Sequence, residues 1–228
     1  MNKDYTHITV VIDSSGSMGT IRTDTIGGFN SFLKEQQRAP GKMTLTQIHF
    51  SSAVLGVPPY WVKDEFTPVQ DVLPLNEHTY VPGGGTPLLD SIGVAIVETG
   101  NHLARMKEED KPGKVLMVII TDGQENASRT YSKKQIKEMV QHQTDVYKWD
   151  FIFLGANMDA IGEGMSTGFS RGTSVNWNAN AGSVSGTFNV LTSKVVNYRG
   201  LVAQGDSIAA TASLNYDALD RAKSAGEV

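Results

Sequence analysis

The 228-residue chain contains no cysteine. That excludes a disulfide frame, a thiolate metal site and a cysteine nucleophile. No apolar run approaches the ~20 residues of a membrane-spanning helix. The first residues, Met-Asn-Lys-Asp-Tyr-Thr-His, lack the apolar core of a signal peptide, so a cytoplasmic protein is the expectation. Neither sign of charge dominates. A net charge of −4 with acids and bases interspersed argues against broad contact with nucleic acid or an anionic membrane. The five histidines (His7, His49, His78, His102, His142) show no metal-ligand spacing. They read as surface or internally satisfied residues. The phosphate-loop pattern Gly-x-x-x-x-Gly-Lys is missing, and Gly16-Ser-Met-Gly19 lacks the spacing of a Gly-x-Ser-x-Gly nucleophile elbow.

What is present suits a folded domain. Hydrophobic residues make up 39% and charged residues 19%, enough for one sizeable core without a disorder signature. No repeat, low-complexity tract or linker divides the chain.

Three β-branched or apolar runs read as strands buried on both faces: Ile8-Thr-Val-Val-Ile12, Val115-Leu-Met-Val-Ile-Ile120 and Phe151-Ile-Phe-Leu154. Helical spacing marks residues 20–38, 87–109, 131–148 with Ser132 as N-cap, and 183–198. Residues 43–50 alternate as a strand. Residues 53–61 read as a second strand with Pro58 and Pro59 at an edge, antiparallel to the first across a tight Ser-Ser turn. Residues 62–82 carry little pattern. Residues 155–172 read as a loop with a short helix near 158–163, residues 173–177 as a last strand, and residues 214–225 as a weak amphipathic helix. Alternation of strands and helices predicts a doubly wound α/β sheet with helices on both faces.

Ligands of such sheets bind just past the carboxyl ends of the strands. The first strand stops at Asp13, followed by Ser15 and Ser17. The second central strand stops at Thr121-Asp122-Gly123. Between them, Gly83-Gly-Gly-Thr86-Pro87 opens a helix. Carboxylates and hydroxyls are hard oxygen ligands suited to Mg²⁺. The bland reading is that these residues cap helices and turns. Glu125 and Asn126 read as shaping the adjoining loop.

The three segments Asp13-Ser-Ser-Gly-Ser17, Gly-Gly-Thr86-Pro and Thr-Asp122-Gly, in this order, resemble the metal-ion-dependent adhesion site of von Willebrand factor A (VWA) domains. Asp24-Thr-Ile-Gly-Gly-Phe-Asn-Ser-Phe-Leu33 and Thr-Asp-Gly-Gln-Glu-Asn-Ala-Ser128 are similar to stand-alone bacterial and phage members. The likeness spans about residues 5–200, so the expected division is a domain at 1–200 and a tail at 201–228, packed on it or partly helical. The resemblance implies a mostly parallel, six-stranded Rossmann-like sheet with one antiparallel edge strand. It implies direct metal ligation by Ser15, Ser17 and Thr86, with Asp13 and Asp122 acting directly or through water. The ion would be Mg²⁺, with Mn²⁺ or Ca²⁺ as alternatives. The implied function is non-enzymatic: a partner protein's Glu or Asp carboxylate fills an open metal position. Such domains work beside AAA-type ATPases or in assembly complexes. A metal-dependent phosphohydrolase and a structural component of a phage or multiprotein assembly are the competing readings. Haloacid-dehalogenase-type phosphatases need a second aspartate at the position of Ser15, which argues against that form of the first competitor.

Overall fold

The computed structural model describes residues 2–52 and 59–228. Six strands form one sheet in the order β3-β2-β1-β4-β5-β6. They are β1 (Asn2–Asp13), β2 (Lys42–Phe50), β3 (Tyr60–Pro68), β4 (Pro112–Thr121), β5 (Asp150–Ala156) and β6 (Ser174–Trp177). All neighbours are parallel except β2 and β3. Among the described residues there are seven α-helices: α1 (Arg22–Arg38), α2 (Leu88–Arg105), α3 (Lys133–Tyr147), α4 (Ala160–Ser166), α5 (Ala181–Ala203), α6 (Ser207–Ser213) and α7 (Ala218–Ala225). This is the doubly wound α/β architecture expected, with the single antiparallel strand at one edge.

The central strands read as continuous apolar runs because both their faces are covered. In β4, Leu116, Val118 and Ile120 face α1 and α5, packing with Phe29, Phe32 and Leu191. Their neighbours Val115, Met117 and Ile119 face α2 and α3, packing with Leu89, Ile92, Ile136 and Val140. At Gly28 the approach of α1 to α5 leaves no room for a side chain, since a Cβ there would collide with the Phe188 ring.

Helix α3 begins where its cap indicates. Ser132 Oγ accepts the Gln135 N–H, and the Gln135 side chain accepts the Ser132 N–H, a reciprocal capping box.

Several expectations need correction. The antiparallel partner of β2 begins at Tyr60 and runs through Pro68, into the stretch that carries little pattern. The connection from Phe50 is therefore no two-residue Ser-Ser turn, and residues 53–58 of the expected strand lie outside the described residues. β3 escapes periodicity because it is a bulged edge strand with register shifts and Phe66 at φ 45°. The first helix starts as a 3₁₀ turn at Gly16–Ile21 before α1 proper. Helix α4 starts two residues later and ends three residues later than expected. The weak pattern over 214–225 is helical only from Ala218, as α7, and a further, unexpected helix, α6, precedes it. Both pack on α5, and α7 also packs against β6; Ala210, Leu214 and Tyr216 are buried there. No described helix is long and apolar enough to cross a membrane.

Candidate functional site

The strand order reverses between β1 and β4, whose crossover helices leave in opposite directions. Their carboxyl ends form the crevice in which doubly wound sheets bind ligands. Asp13 is the last residue of β1, and Asp122 follows the last residue of β4. Parallel pairing in register, with Ile12 opposite Ile120, brings the end of β1 level with Thr121, and Asp122 follows one residue beyond.

Asp13 is 0% exposed and Asp122 3% exposed. Each Asp13 oxygen is fixed separately. Oδ1 accepts the Ser15 N–H at 2.7 Å, and Oδ2 accepts the Thr121 hydroxyl at 2.6 Å. Tyr80 donates its hydroxyl to the Asp13 carbonyl at 2.6 Å. Asp122 Oδ1 accepts the Ser17 hydroxyl at 2.7 Å, and the Ser17 and Ser15 oxygens lie 3.2 Å apart. Thr86 arrives from the start of α2. Its Oγ1 and Ser17 Oγ lie 3.3 and 3.7 Å from the point that a Cβ on Gly123 would occupy. All five expected residues thus converge on one crevice, four of them buried and Ser17 open to solvent.

The glycines before Thr86 permit this approach. The Gly84 carbonyl accepts the Gly16 N–H at 2.9 Å, and the Ser14 carbonyl accepts the Gly83 N–H at 2.8 Å, stitching the two loops together. Gly84 itself holds φ 74°, and a Cβ there would strike the Ser52 carbonyl.

A second set of bonds holds the Thr86 and Asp122 loops together. Asn126 and Thr86 pair reciprocally: the Thr86 N–H donates to Asn126 Oδ1 at 2.8 Å, and the Asn126 N–H donates to the Thr86 carbonyl at 3.2 Å. The Glu125 carboxylate accepts the N–H groups of Ala127, Ser128 and Leu89 and the Ser128 hydroxyl. The Leu89 contact lies in the first turn of α2, where the helix dipole favours an anion. Both residues shape the loop, as the sequence suggests.

Sequence reasoning missed Thr121 and Tyr80 as supports of Asp13. Thr121 is visible in hindsight as the residue before Asp122 at a strand end. Tyr80 stands in an unpatterned stretch, and no local signal marks it.

Burial dominates the electrostatics of the two acids. Burial, reinforced by the nearby Asp122 charge, pushes the Asp13 carboxyl up to about 6 despite its hydrogen bonds from Thr121 and Ser15. Burial also raises Asp122, against the Ser17 hydrogen bond. Among the described residues, neither carboxylate has a Lys, Arg or His ion-pair partner. The Thr86 hydroxyl has no hydrogen-bond partner there either. Two buried carboxylates and three hydroxyls around an electronegative crevice match the donor set of a hard divalent cation. Among the described residues there is no cluster of three or more His, Asp or Glu able to hold a metal, so a bound ion would depend on the hydroxyls.

The buried histidines serve elsewhere. His7 Nδ1 and Nε2 lie 2.8 and 3.1 Å from the Thr44 and Thr9 hydroxyls, and burial lowers its pKa to about 3. His49 lies against Gln47 at 2.6 Å. Its Nδ1 has no partner among the described residues, so it falls short of the satisfied state expected.

No family model matches the sequence, and no curated protein matches it. Solved structures do match in three dimensions. The chain is similar to proximal thread matrix protein 1 from the mussel byssus, with 15% identity and TM-score 0.53, over 88% of this chain and 46% of that one. It is similar to a von Willebrand factor type A structure from Catenulispora acidiphila, with 11% identity and TM-score 0.51, over 84% and 43%. It is also similar to the pilus adhesin SpaC of Lactobacillus rhamnosus GG in its open conformation, with 13% identity and TM-score 0.56, over 84% and 30%. The chain spans less than half the length of each of these structures. With its strand order and single antiparallel edge pair, the chain has the fold of the von Willebrand factor type A domain.

Proposed function

We propose that this chain is a metal-dependent protein-interaction module. Asp13, Ser15, Ser17, Thr86 and Asp122 hold one divalent cation, Mg²⁺ by donor chemistry, and a Glu or Asp of a partner protein completes its coordination. The observation that carries this reading is the pair of buried carboxylates that, among the described residues, lack a cationic partner and are set among three hydroxyls. A divalent ion would relieve the cost of burying both charges. Because three of the five donors are neutral, the ion keeps net positive charge toward an incoming carboxylate. Ser17 is the donor that faces solvent, so a partner would approach from its side.

A binding role fits better than catalysis. Among the described residues the crevice has no histidine, and its two carboxylates are already engaged by Ser15, Thr121 and Ser17. We further propose that the domain extends past residue 200, because α6 and α7 contribute Ala210, Leu214 and Tyr216 to its core.

Titration calorimetry of Mg²⁺ and Mn²⁺ into metal-stripped protein tests the first step. One ion should bind, and the Asp13→Ala/Thr86→Ala variant should lose it. An acidic peptide should then bind the loaded protein and dissociate with chelator. Peptide capture that ignores chelator would refute the metal-bridged mode. Phosphate-ester turnover abolished by Asp13→Ala would replace the binding reading with an enzymatic one.

A further inference from the structure

A large cleft lies at the opposite end of the sheet from the candidate metal site. It is formed where β4 begins, between the C-terminal halves of α2 and α3 and the short helix α6, and its volume is about 1050 Å³. That is just above the roughly 300–1,000 Å³ typical of small-molecule pockets. Leu103, Val115, Val146, Trp149 and Ile208 supply apolar walls. Two of these stand out in solvent on the lip, Ile208 at 86% exposure and Val146 at 57%. Nothing in the described fold covers them.

The charges around the cleft are uneven. Three lysines line it, against a single carboxylate, Glu108. Lys111 pairs with Glu108 at 2.9 Å. Lys114 pairs with Asp150 at 2.8 Å and is saturated by the Lys148 carbonyl and the Thr211 hydroxyl. Lys148 remains: it lines the cleft, its ammonium bonds only a neutral carbonyl, that of Asp145 on the neighbouring last turn of α3, and it has no carboxylate partner among the described residues. The cleft therefore offers a long apolar wall and, among its lining lysines, one ammonium without an anionic partner that a rotamer change can turn toward a ligand, in a chain whose overall charge is negative.

We infer that this cleft is a binding site for a small amphiphile with one negative charge, a long-chain carboxylate. The acyl chain lies along Leu103, Trp149 and Ile208, and the carboxylate meets Lys148. A concave space of this volume suits a flexible chain of this class better than a flat protein face. One spare cation matches a monoanion and not a phosphate dianion. The site lies at the other end of β4 from Asp122 and does not involve the candidate metal ligands.

The test is calorimetric titration of the full chain, in chelator, with laurate below its micelle concentration, beside 1-dodecanol and the variants Ile208→Asp and Lys148→Asn. Both substituted residues are exposed, and Asn suits the left-handed backbone at Lys148 (φ 57°). Laurate should bind at one per chain. Each variant, and the change from acid to alcohol, should weaken binding about tenfold or more. Absence of saturable binding would overturn the inference. So would equal binding of acid and alcohol, or binding indifferent to both variants, which is the behaviour of non-specific adsorption. Retention of laurate binding by Asp13→Ala separates this site from the metal reading.

Discussion

The Thr121 hydroxyl donates to Asp13 Oδ2 at 2.6 Å and joins the carboxyl ends of β1 and β4. Asp13 is wholly buried, so this bond stabilises a charge that water cannot reach. Thr121→Val keeps shape and removes the donor. A buried acceptor left unpaired costs about 1–3 kcal/mol, and more for charged groups. We expect Thr121→Val to lower unfolding free energy in chelator by at least that amount, read from urea titrations. Unchanged stability would mean that Asp13 is not held as a charged acceptor in the free protein.

Asp13 also sets a pH dependence. Its folded pKa of about 6 lies above the ordinary 3.8. The folded state therefore holds the proton more tightly than the unfolded chain does. The stabilisation is fully present below about pH 4 and is lost as pH rises through about 6. At one unit per 1.36 kcal/mol, the loss is on the order of 3 kcal/mol. Metal binding requires the deprotonated acid, so Mg²⁺ affinity should rise between pH 5 and 7 as stability of the metal-free protein falls. Calorimetry at three pH values, with Asp13→Asn as control, checks both trends. An affinity flat across this range would contradict the assignment.

Glu125 accepts four bonds, three within its own loop and one from Leu89 that ties the loop to α2, and Asn126 holds Thr86 by two. Glu125→Ala leaves three N–H donors without their acceptor and should cost about 2–4 kcal/mol, within the range for charged hydrogen bonds and lost caps. Asn126→Ala should reduce metal affinity more than it reduces stability, because it frees the Thr86 backbone at the loop edge. Comparison of the two ratios, by melting and metal titration, separates the roles.

The adjacent glycines of α1 should respond oppositely. A Cβ on Gly27 meets nothing within 4 Å, whereas on Gly28 it collides with Phe188. Gly27→Ala should stabilise by about 0.5–1 kcal/mol through backbone entropy. Gly28→Ala should destabilise by about 1–3 kcal/mol through overpacking of α1 against α5. Equal effects on the melting temperature would deny the close crossing.

Deletion of residues 206–228 should be costly. It removes buried Leu214 and Tyr216 and the Thr211 partner of Lys114. It also removes Arg221, which donates to the Ser174 carbonyl on β6 at 2.8 Å. The expected loss is on the order of 5 kcal/mol, with aggregation through the uncovered sheet edge. A truncated chain that melts like the intact one would detach the tail from the core.

The central strands were legible in the amino-acid order, because burial on both faces demands unbroken apolar runs. So was α3, because Ser132 and Gln135 form its cap locally. The same is true of the residue types at the crevice: strands that stop at Asp13 and before Asp122 place carboxylates at one sheet edge whenever those strands are neighbours. Whether they are neighbours was a tertiary matter, decided by the crossover order that sets β1 beside β4. The bulged edge strand β3 was illegible because only one side of it is paired and its alternation breaks at Phe66. Tyr80 and Thr121 gained their roles only through contacts across the fold. The distal cleft had no signature at all. Its walls come from α2, α3, β4 and α6, which are separated in sequence and meet only when the sheet is wound. Local pattern records what a residue needs from its own strand or helix, and packing records what it receives from the rest of the chain.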